Sequence, residues 1–155
     1  MEAAGRILDA MRVPVLRVAG FEADDVMATV ATLCAASGTP CAILSGDKDI
    51  LQLVDDHVYV LEPEKGTGSY SPVRAADVVE RRGVRADQIV DYLALTGDQS
   101  DNVPGVRGVG EKTAVKLLGQ WGDLERLYAN LASVTPDGVR RKLEEGRDAA
   151  FLSRS

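Results

Sequence analysis

Cys41-Ala42-Ile43-Leu44-Ser45-Gly46-Asp47-Lys48-Asp49 runs from a short apolar stretch directly into two carboxylates separated by one residue. Four apolar residues bounded by turn-formers suit a buried strand better than a helix, which needs ten or more. In a sheet built from βαβ units, acids at the end of such a strand lie on the carboxyl edge, where these folds place their sites. Upstream, Pro14 to Val18 reads as another strand and Gly20 breaks it. Glu22 to Ala36 then carries Val26, Val30 and Leu33 at helical spacing, and Gly38 ends that helix. Downstream, Ile50 to Leu53 suggests a short helix, Val58 to Leu61 a third strand, and Glu62 to Ser69 an exposed, turn-rich loop.

From Ser71 onward the period changes. Val78 and Val79, then Ile89, Val90, Leu93 and Leu95, then Ala114, Leu117 and Leu118 recur at helical spacing, so the second half is predicted all-helical. The fold class expected is α/β, a parallel sheet in residues 1–75 followed by a helical lobe in residues 76–155.

The composition is that of an ordinary globular chain: 155 residues, 45% hydrophobic, net charge −6. Such a chain buries a real core. The acidic balance argues against indiscriminate coating of nucleic acid but permits local basic contacts. No apolar run approaches the ~18 residues of a membrane span, and the N-terminus lacks a secretion signal, so a cytoplasmic location is the expectation. Cys34 and Cys41 have no metal-site spacing and read as buried small apolar side chains. His57, the sole histidine, precedes a strand and reads as a surface or structural residue.

Three acid clusters stand out: Glu22, Asp24 and Asp25; Asp47 and Asp49; Asp98 and Asp101. Each has a structural reading, since acids in a helix's first turn complement its dipole and acids in loops cap or staple them. Topology favours a functional one. If strands 14–18 and 41–45 are neighbours, ~5 Å apart, the carboxylates at their ends crowd together. Crowded carboxylates take up protons or a cation. Oxygen donors without nearby His or Cys favour Mg²⁺ or Mn²⁺ over zinc. Two such ions ~4 Å apart are the usual apparatus for phosphodiester hydrolysis.

Residues 103–114, Val-Pro-Gly-Val-Arg-Gly-Val-Gly-Glu-Lys-Thr-Ala, join two helical patterns through closely spaced glycines. They lack the lysine of a Walker loop, because Glu111 stands in its place. The first N–H groups of the following helix, with Arg107, Lys112 and Lys116 around them, would suit phosphate. A grip of this kind touches backbone rather than base edges, so it binds duplex with little sequence preference. A ligand-free helix connector is the alternative.

Gly20-Phe-Glu-Ala-Asp-Asp25, Ser45-Gly-Asp-Lys-Asp49 and residues 95–114, Leu-Thr-Gly-Asp-Gln-Ser-Asp-Asn-Val-Pro-Gly-Val-Arg-Gly-Val-Gly-Glu-Lys-Thr-Ala, closely resemble the 5′–3′ exonuclease domain of bacterial type I DNA polymerases and, more widely, the flap endonuclease family. The resemblance runs from about residue 10 to about residue 145. It implies an incomplete PIN-like nuclease core followed by a helical DNA-binding lobe with a helix–hairpin–helix-type motif near 103–118. Glu22, Asp24 and Asp25 would serve mainly one metal, Asp47 would lie between the sites, and Asp49, Asp98 and Asp101 would serve mainly the other. Catalysis would rest on Asp24, Asp25, Asp47, Asp49, Asp98 and Asp101, and the duplex clamp on Gly105, Gly108, Gly110, Lys112 and Thr113. The implied product is a 5′-phosphate and a 3′-hydroxyl, the implied partner a DNA duplex with a 5′ end or flap. Against the family pattern the chain lacks a first strand with a further Asp and a basic arch. It therefore resembles a copy truncated at both ends, with a complementing N-terminal chain or a polymerase as a further partner. Two other readings remain at this point: a fragment that binds duplex or branched DNA without cutting it, and a haloacid-dehalogenase-like phosphatase built on the Asp47-x-Asp49 pair.

Overall fold

The computed structural model describes residues 2–98 and 102–154. Three strands form one sheet: β1 (Cys41–Leu44), β2 (Val58–Pro63) and β3 (Tyr70–Val73), in that spatial order. β1 and β2 are parallel, with Ile43 opposite Val60, whereas β3 returns antiparallel along β2, with Val73 opposite Val60. The sheet is therefore mixed. The return was not expected, because the loop is shorter than predicted: residues 64–69 make the turn, with Gly66 and Gly68 at φ +81° and +70°. Pro72 within β3 fits an edge strand, which can forgo a ladder N–H.

Period two places Val58 and Val60 of β2 in the core, both essentially buried, while Tyr59 is only partly covered. Leu51 and Ile50, on the 3₁₀ turn at Asp49–Leu53, and Val73 and Val78 join them. The same buried apolar cluster continues into the helical half through Ile89, Leu95, Leu118, Leu127 and Leu143.

The N-terminal third departs from expectation. α1 (Glu2–Ala10) and α2 (Ala23–Ser37) are helices, but Pro14 to Val18 pairs with no strand. A strand exists only by its ladder, and no ladder joins this segment to β1. Val15, Leu16 and Val18 are 45%, 65% and 51% exposed. The α2 face read as apolar and core-facing is also largely open, with Ala31 its one buried residue and Val30 and Leu33 exposed. Cys34 and Cys41 are free thiols, partly rather than fully buried. Burial raises the Cys41 thiol pKa, and the neighbouring Cys34 thiol adds to the rise. His57 is exposed, as expected.

The second half is helical beyond β3: α3 (Ala75–Arg82), α4 (Ile89–Thr96), α5 (Glu111–Trp121), α6 (Leu124–Ala129), α7 (Asp137–Glu145) and α8 (Arg147–Arg154). α4 is the hub. Its buried Asp91 accepts the Leu124 N–H that opens α6, at 3.0 Å, and pairs with Arg154 Nε of α8 at 2.9 Å. Gln88, also buried, donates to the carbonyls of Leu118 and Gly122 that end α5. Both of these buried polar groups thus close a helix end, the arrangement in which burial of such groups is tolerated. Among the described residues no helix is long and apolar enough to cross a membrane.

Candidate functional site

β1 delivers its chain directly into the acid loop. The Asp47 carboxylate accepts the Asp49 N–H at 3.0 Å, and the Asp47 N–H donates to Ser45 Oγ at 3.1 Å, so the loop is fastened by its own side chains. Asp47 is exposed and Asp49 partly buried at the start of the 3₁₀ turn.

Asp98 approaches from the helical half. α4 ends at Gly97, and an antiparallel bridge pins the chain just beyond it: the Asp98 N–H donates to the Val103 carbonyl at 2.9 Å, and the Val103 N–H returns to the Asp98 carbonyl at 2.8 Å. The Asp98 side chain is 7% exposed and meets Lys48 Nζ at 3.1 Å. Residues fifty apart in sequence are thereby joined, and the second acid cluster is tied to the third. Lys48 is a residue that sequence reasoning passed over, although it lies between the two acids of its motif. A cavity of about 420 Å³ opens here, lined by Lys48, Arg82, Tyr92, Thr96, Asp98 and Glu111 among others. Burial raises the Tyr92 phenol pKa, the Glu111 carboxylate adds to the rise, and Arg82 opposes it.

The first acid cluster opens α2. Glu22, Asp24 and Asp25 are exposed at the start of α2, and the Asp25 carboxylate accepts the Glu22 N–H at 2.9 Å. That bond is the helix-start role acids in a first turn commonly take. Among the described residues no three Asp, Glu, His or Cys side chains converge closely enough to hold an ion. Asp101 lies outside the described residues. The acids of the second and third clusters nonetheless offer carboxylate oxygen alone, the donor set that fits a hard divalent cation.

The glycine hairpin divides into a packed half and an open half. Gly105 is buried, with φ +60°, and a Cβ there would lie 2.2 Å from the Gly97 nitrogen. Its glycine is required by packing against the end of α4, a steric role rather than a phosphate-facing one. Val106 and Val109 are buried as well, and the Val106 N–H bonds the Leu95 carbonyl at 2.9 Å. Between and beyond them, Arg107, Gly108, Gly110, Lys112 and Lys116 are exposed, and Thr113 is partly so. Gly110 is the N-cap of α5, with open space where a side chain would stand. The ladder begins with the Thr113 and Ala114 N–H groups, both bonded to the Gly110 carbonyl. The N–H groups of Glu111 and Lys112 are therefore the first-turn donors that a helix cannot satisfy internally. Lys142 of α7 joins this surface by donating to the Gly108 carbonyl at 2.9 Å. Sequence reasoning missed it; the run Arg140-Arg141-Lys142 was the available signal.

Comparison with known proteins places this arrangement. Residues 1–83 match the family described as 5′-3′ exonuclease, N-terminal resolvase-like domain, and residues 84–155 match 5′-3′ exonuclease, C-terminal SAM fold. DNA polymerase I of Pseudomonas aeruginosa is 47% identical over 151 residues, covering 93% of this chain. The thermostable DNA polymerase I of Thermus filiformis is 45% identical over 148 residues, and DNA polymerase I of Deinococcus radiodurans 42% over 149, covering 96% and 95% of this chain. The matches span only 16%, 17% and 15% of those relatives' own lengths. Among solved structures, the bacteriophage T5 D15 flap endonuclease with DNA and metal ions has a TM-score of 0.82 at 22% identity, covering 98% of this chain and 55% of that one. The catalytic core of Rad2 in complex with DNA substrate has a TM-score of 0.62 at 17% identity, covering 93% of this chain and 48% of that one. These two likenesses are of fold. On the two family matches, which together span it, and on its relatedness to bacterial DNA polymerase I, the chain belongs to the 5′-3′ exonuclease family.

Proposed function

We propose that this chain is the site-bearing part of a 5′ nuclease that hydrolyses DNA phosphodiesters, as 5′–3′ exonuclease or flap endonuclease, in replication and repair. The observation that carries the reading is the Lys48–Asp98 pair, which joins the acid loop after β1 to the acid at the foot of the glycine hairpin. One continuous surface then holds carboxylates at one end and exposed cations at the other.

Asp47, Asp49, Asp98 and Asp101 would hold one divalent ion, and Glu22, Asp24 and Asp25, with Asp47 between, a second. Two Mg²⁺ or Mn²⁺ ions, when bound, would supply an activated hydroxide and charge stabilisation at the leaving oxygen. The chain's own contribution is positional. The Asp98–Val103 bridge and the Ser45 and Asp47 hydrogen bonds fix carboxylates that would otherwise repel one another, and the Lys48 ammonium offsets charge at Asp98. On the hairpin, the open N–H groups of Glu111 and Lys112 and the side chains of Arg107, Lys112, Thr113 and Lys116 would hold duplex phosphates, with Gly108 and Gly110 leaving room for close approach. Phosphate contacts position the duplex and carry no sequence information. Partners in keeping with this reading are a duplex with a 5′ end or flap, and a polymerase or complementing chain, in the cytoplasm. The lobe boundary near residue 75 belongs to the same reading.

A second reading, a duplex-binding fragment that does not cut, is favoured by one observation: among the described residues no three Asp, Glu, His or Cys side chains gather closely enough to hold an ion. A phosphatase on Asp47 and Asp49 leaves the hairpin without a role and does not accord with the family. Incubation with a 5′-flapped duplex, with Mg²⁺ or with EDTA, alone and mixed with the N-terminal portion of such a nuclease, separates the two surviving readings. Asp47→Asn is expected to abolish Mg²⁺-dependent cutting while duplex binding persists. Cutting retained by that variant would refute the site assignment.

A further inference from the structure

Asp98 is fixed through its backbone, whereas the cation that meets it is not. The bridge to Val103 bonds the Asp98 main chain in both directions, at 2.9 and 2.8 Å, and the side chain is 7% exposed. Lys48 stands on ordinary right-handed backbone, φ −70° and ψ −29°, at the head of the 3₁₀ turn, and its side chain is 51% exposed. Its ammonium reaches Asp98 at the end of a flexible stem, Nζ to Oδ2 at 3.1 Å. The acid loop does not depend on that contact for its shape. Asp47 accepts the Asp49 N–H, Ser45 Oγ accepts the Asp47 N–H, and the Lys48 carbonyl accepts the Leu51 N–H at 3.2 Å, so the main chain stays folded when the Lys48 side chain moves. An ion pair with one half-exposed member contributes little net stability. A carboxylate as covered as Asp98, in contrast, is costly to ionise without positive charge nearby.

We propose that Lys48 is a displaceable counter-ion: in the metal-free chain its ammonium occupies the cation position at Asp98, and it gives up that position to a hard divalent cation. This deepens the proposed function and rests on it. Two features favour exchange over a permanent staple. The cavity of about 420 Å³ that both side chains line gives the ammonium room to withdraw without any movement of backbone. The charged residues of the same lining are two cations, Lys48 and Arg82, and two carboxylates, Asp98 and Glu111, so the wall is balanced as it stands and turns net positive when a divalent ion joins it. An ammonium kept against Asp98 would then repel the ion, and withdrawal into solvent relieves that repulsion. Lys48 is thus a positioning residue, which keeps Asp98 charged and joined to the acid loop until the ion takes over.

The test uses Mn²⁺ alone on the full chain, without DNA, so its outcome is independent of cleavage. Binding is read from the loss of the free-ion electron paramagnetic resonance signal, and the accessibility of each lysine from its rate of acetylation by an N-hydroxysuccinimide ester, resolved by mass spectrometry. Saturating Mn²⁺ should speed acetylation of Lys48 severalfold and leave that of Lys65, exposed in the turn between β2 and β3, unchanged. Lys48→Met should bind Mn²⁺ about tenfold more tightly, the equivalent of ~1.4 kcal/mol, because no ammonium has to be displaced. Lys48→Arg, which keeps the charge, should bind as wild type does. A permanent staple predicts the opposite sign, since its loss would loosen Asp98 from the loop and weaken binding in Lys48→Met. The proposal is overturned by Mn²⁺ binding that is weaker or unchanged in Lys48→Met, by a Lys48 acetylation rate indifferent to Mn²⁺, or by absence of binding. Where Asp47→Asn nevertheless lowers Mn²⁺ affinity, the nuclease reading stands and the exchange alone fails; binding that Asp47→Asn leaves unchanged counts against both.

Discussion

Gly105→Ala tests whether the hairpin glycines serve packing or phosphate. The methyl carbon would sit 2.2 Å from the Gly97 nitrogen, 2.6 Å from the Thr96 carbonyl carbon and 2.7 Å from the Gly97 Cα. All are backbone atoms at the end of α4, which cannot swing aside as a side chain could. A φ of +60° adds a second penalty. Left-handed backbone costs a non-glycine residue about 1–2 kcal/mol, and forced displacement of packed structure about 1–3 kcal/mol. The sum is roughly 3 kcal/mol, which at ~2–4 °C per kcal/mol for a chain of this size lowers Tm by about 6–12 °C. Gly110→Ala is the matched control, since φ there is −102° and nothing lies within 4 Å of the added carbon. Its effect should stay within about 1 kcal/mol, the scale of an N-cap change. Thermal unfolding followed by far-UV circular dichroism reads both variants. A Gly105→Ala protein that melts within ~2 °C of wild type, less than one kcal/mol on that scale, would refute the packing argument and return Gly105 to the phosphate grip.

Tyr128 gives a pH signature. Burial pushes its phenol up to about 12, with Arg147 opposing, and its hydroxyl donates to the Leu143 carbonyl at 3.1 Å. The unfolded chain loses this proton near pH 10, so the stabilisation is complete below pH 10 and fades as pH rises towards 12, by about 2 kcal/mol. Urea unfolding at pH 9 and pH 11.5 should show a steeper alkaline loss in wild type than in Tyr128→Phe; equal losses would count against it. On the hairpin, Lys112→Glu should weaken binding to unrelated duplex sequences alike and flatten the dependence of log K on log salt by ~1 or more. Lys142→Ala, which removes the cation donated to the Gly108 carbonyl, should shift binding in the same direction. A loss confined to one sequence would contradict phosphate recognition.

How legible each element was in the sequence depends on how local its signal is. β1 and β2 declared themselves through short apolar runs, and α2 through its caps: the Glu22 N–H bonded by Asp25 at one end, and left-handed Gly38 at the other. Neither signal depends on distant residues. β3 was misread because Tyr70–Val73 is an edge strand with one neighbour and a proline, so its pattern is too short and irregular to separate from a loop. Pro14 to Val18 erred in the opposite direction. Its short apolar run is that of a strand, but a strand is completed by a partner, and no ladder joins it here among the described residues. The crowding of Glu22, Asp24 and Asp25 against Asp47 was argued from two neighbouring strands, and no ladder joins residues 14–18 to β1. The contact that does unite the acid motifs, Lys48 with Asp98, crosses from the sheet to the hairpin, and sequence spacing holds no trace of it. It arises because the Asp98–Val103 bridge and buried Gly105, Val106 and Val109 lock the hairpin against α4. The hairpin's apolar half therefore places the acid, and its open half faces outward with the cations. That division explains why one glycine-rich motif contributes to both ends of the surface, and why Gly105 and Gly110, five residues apart, should respond so differently to the same substitution.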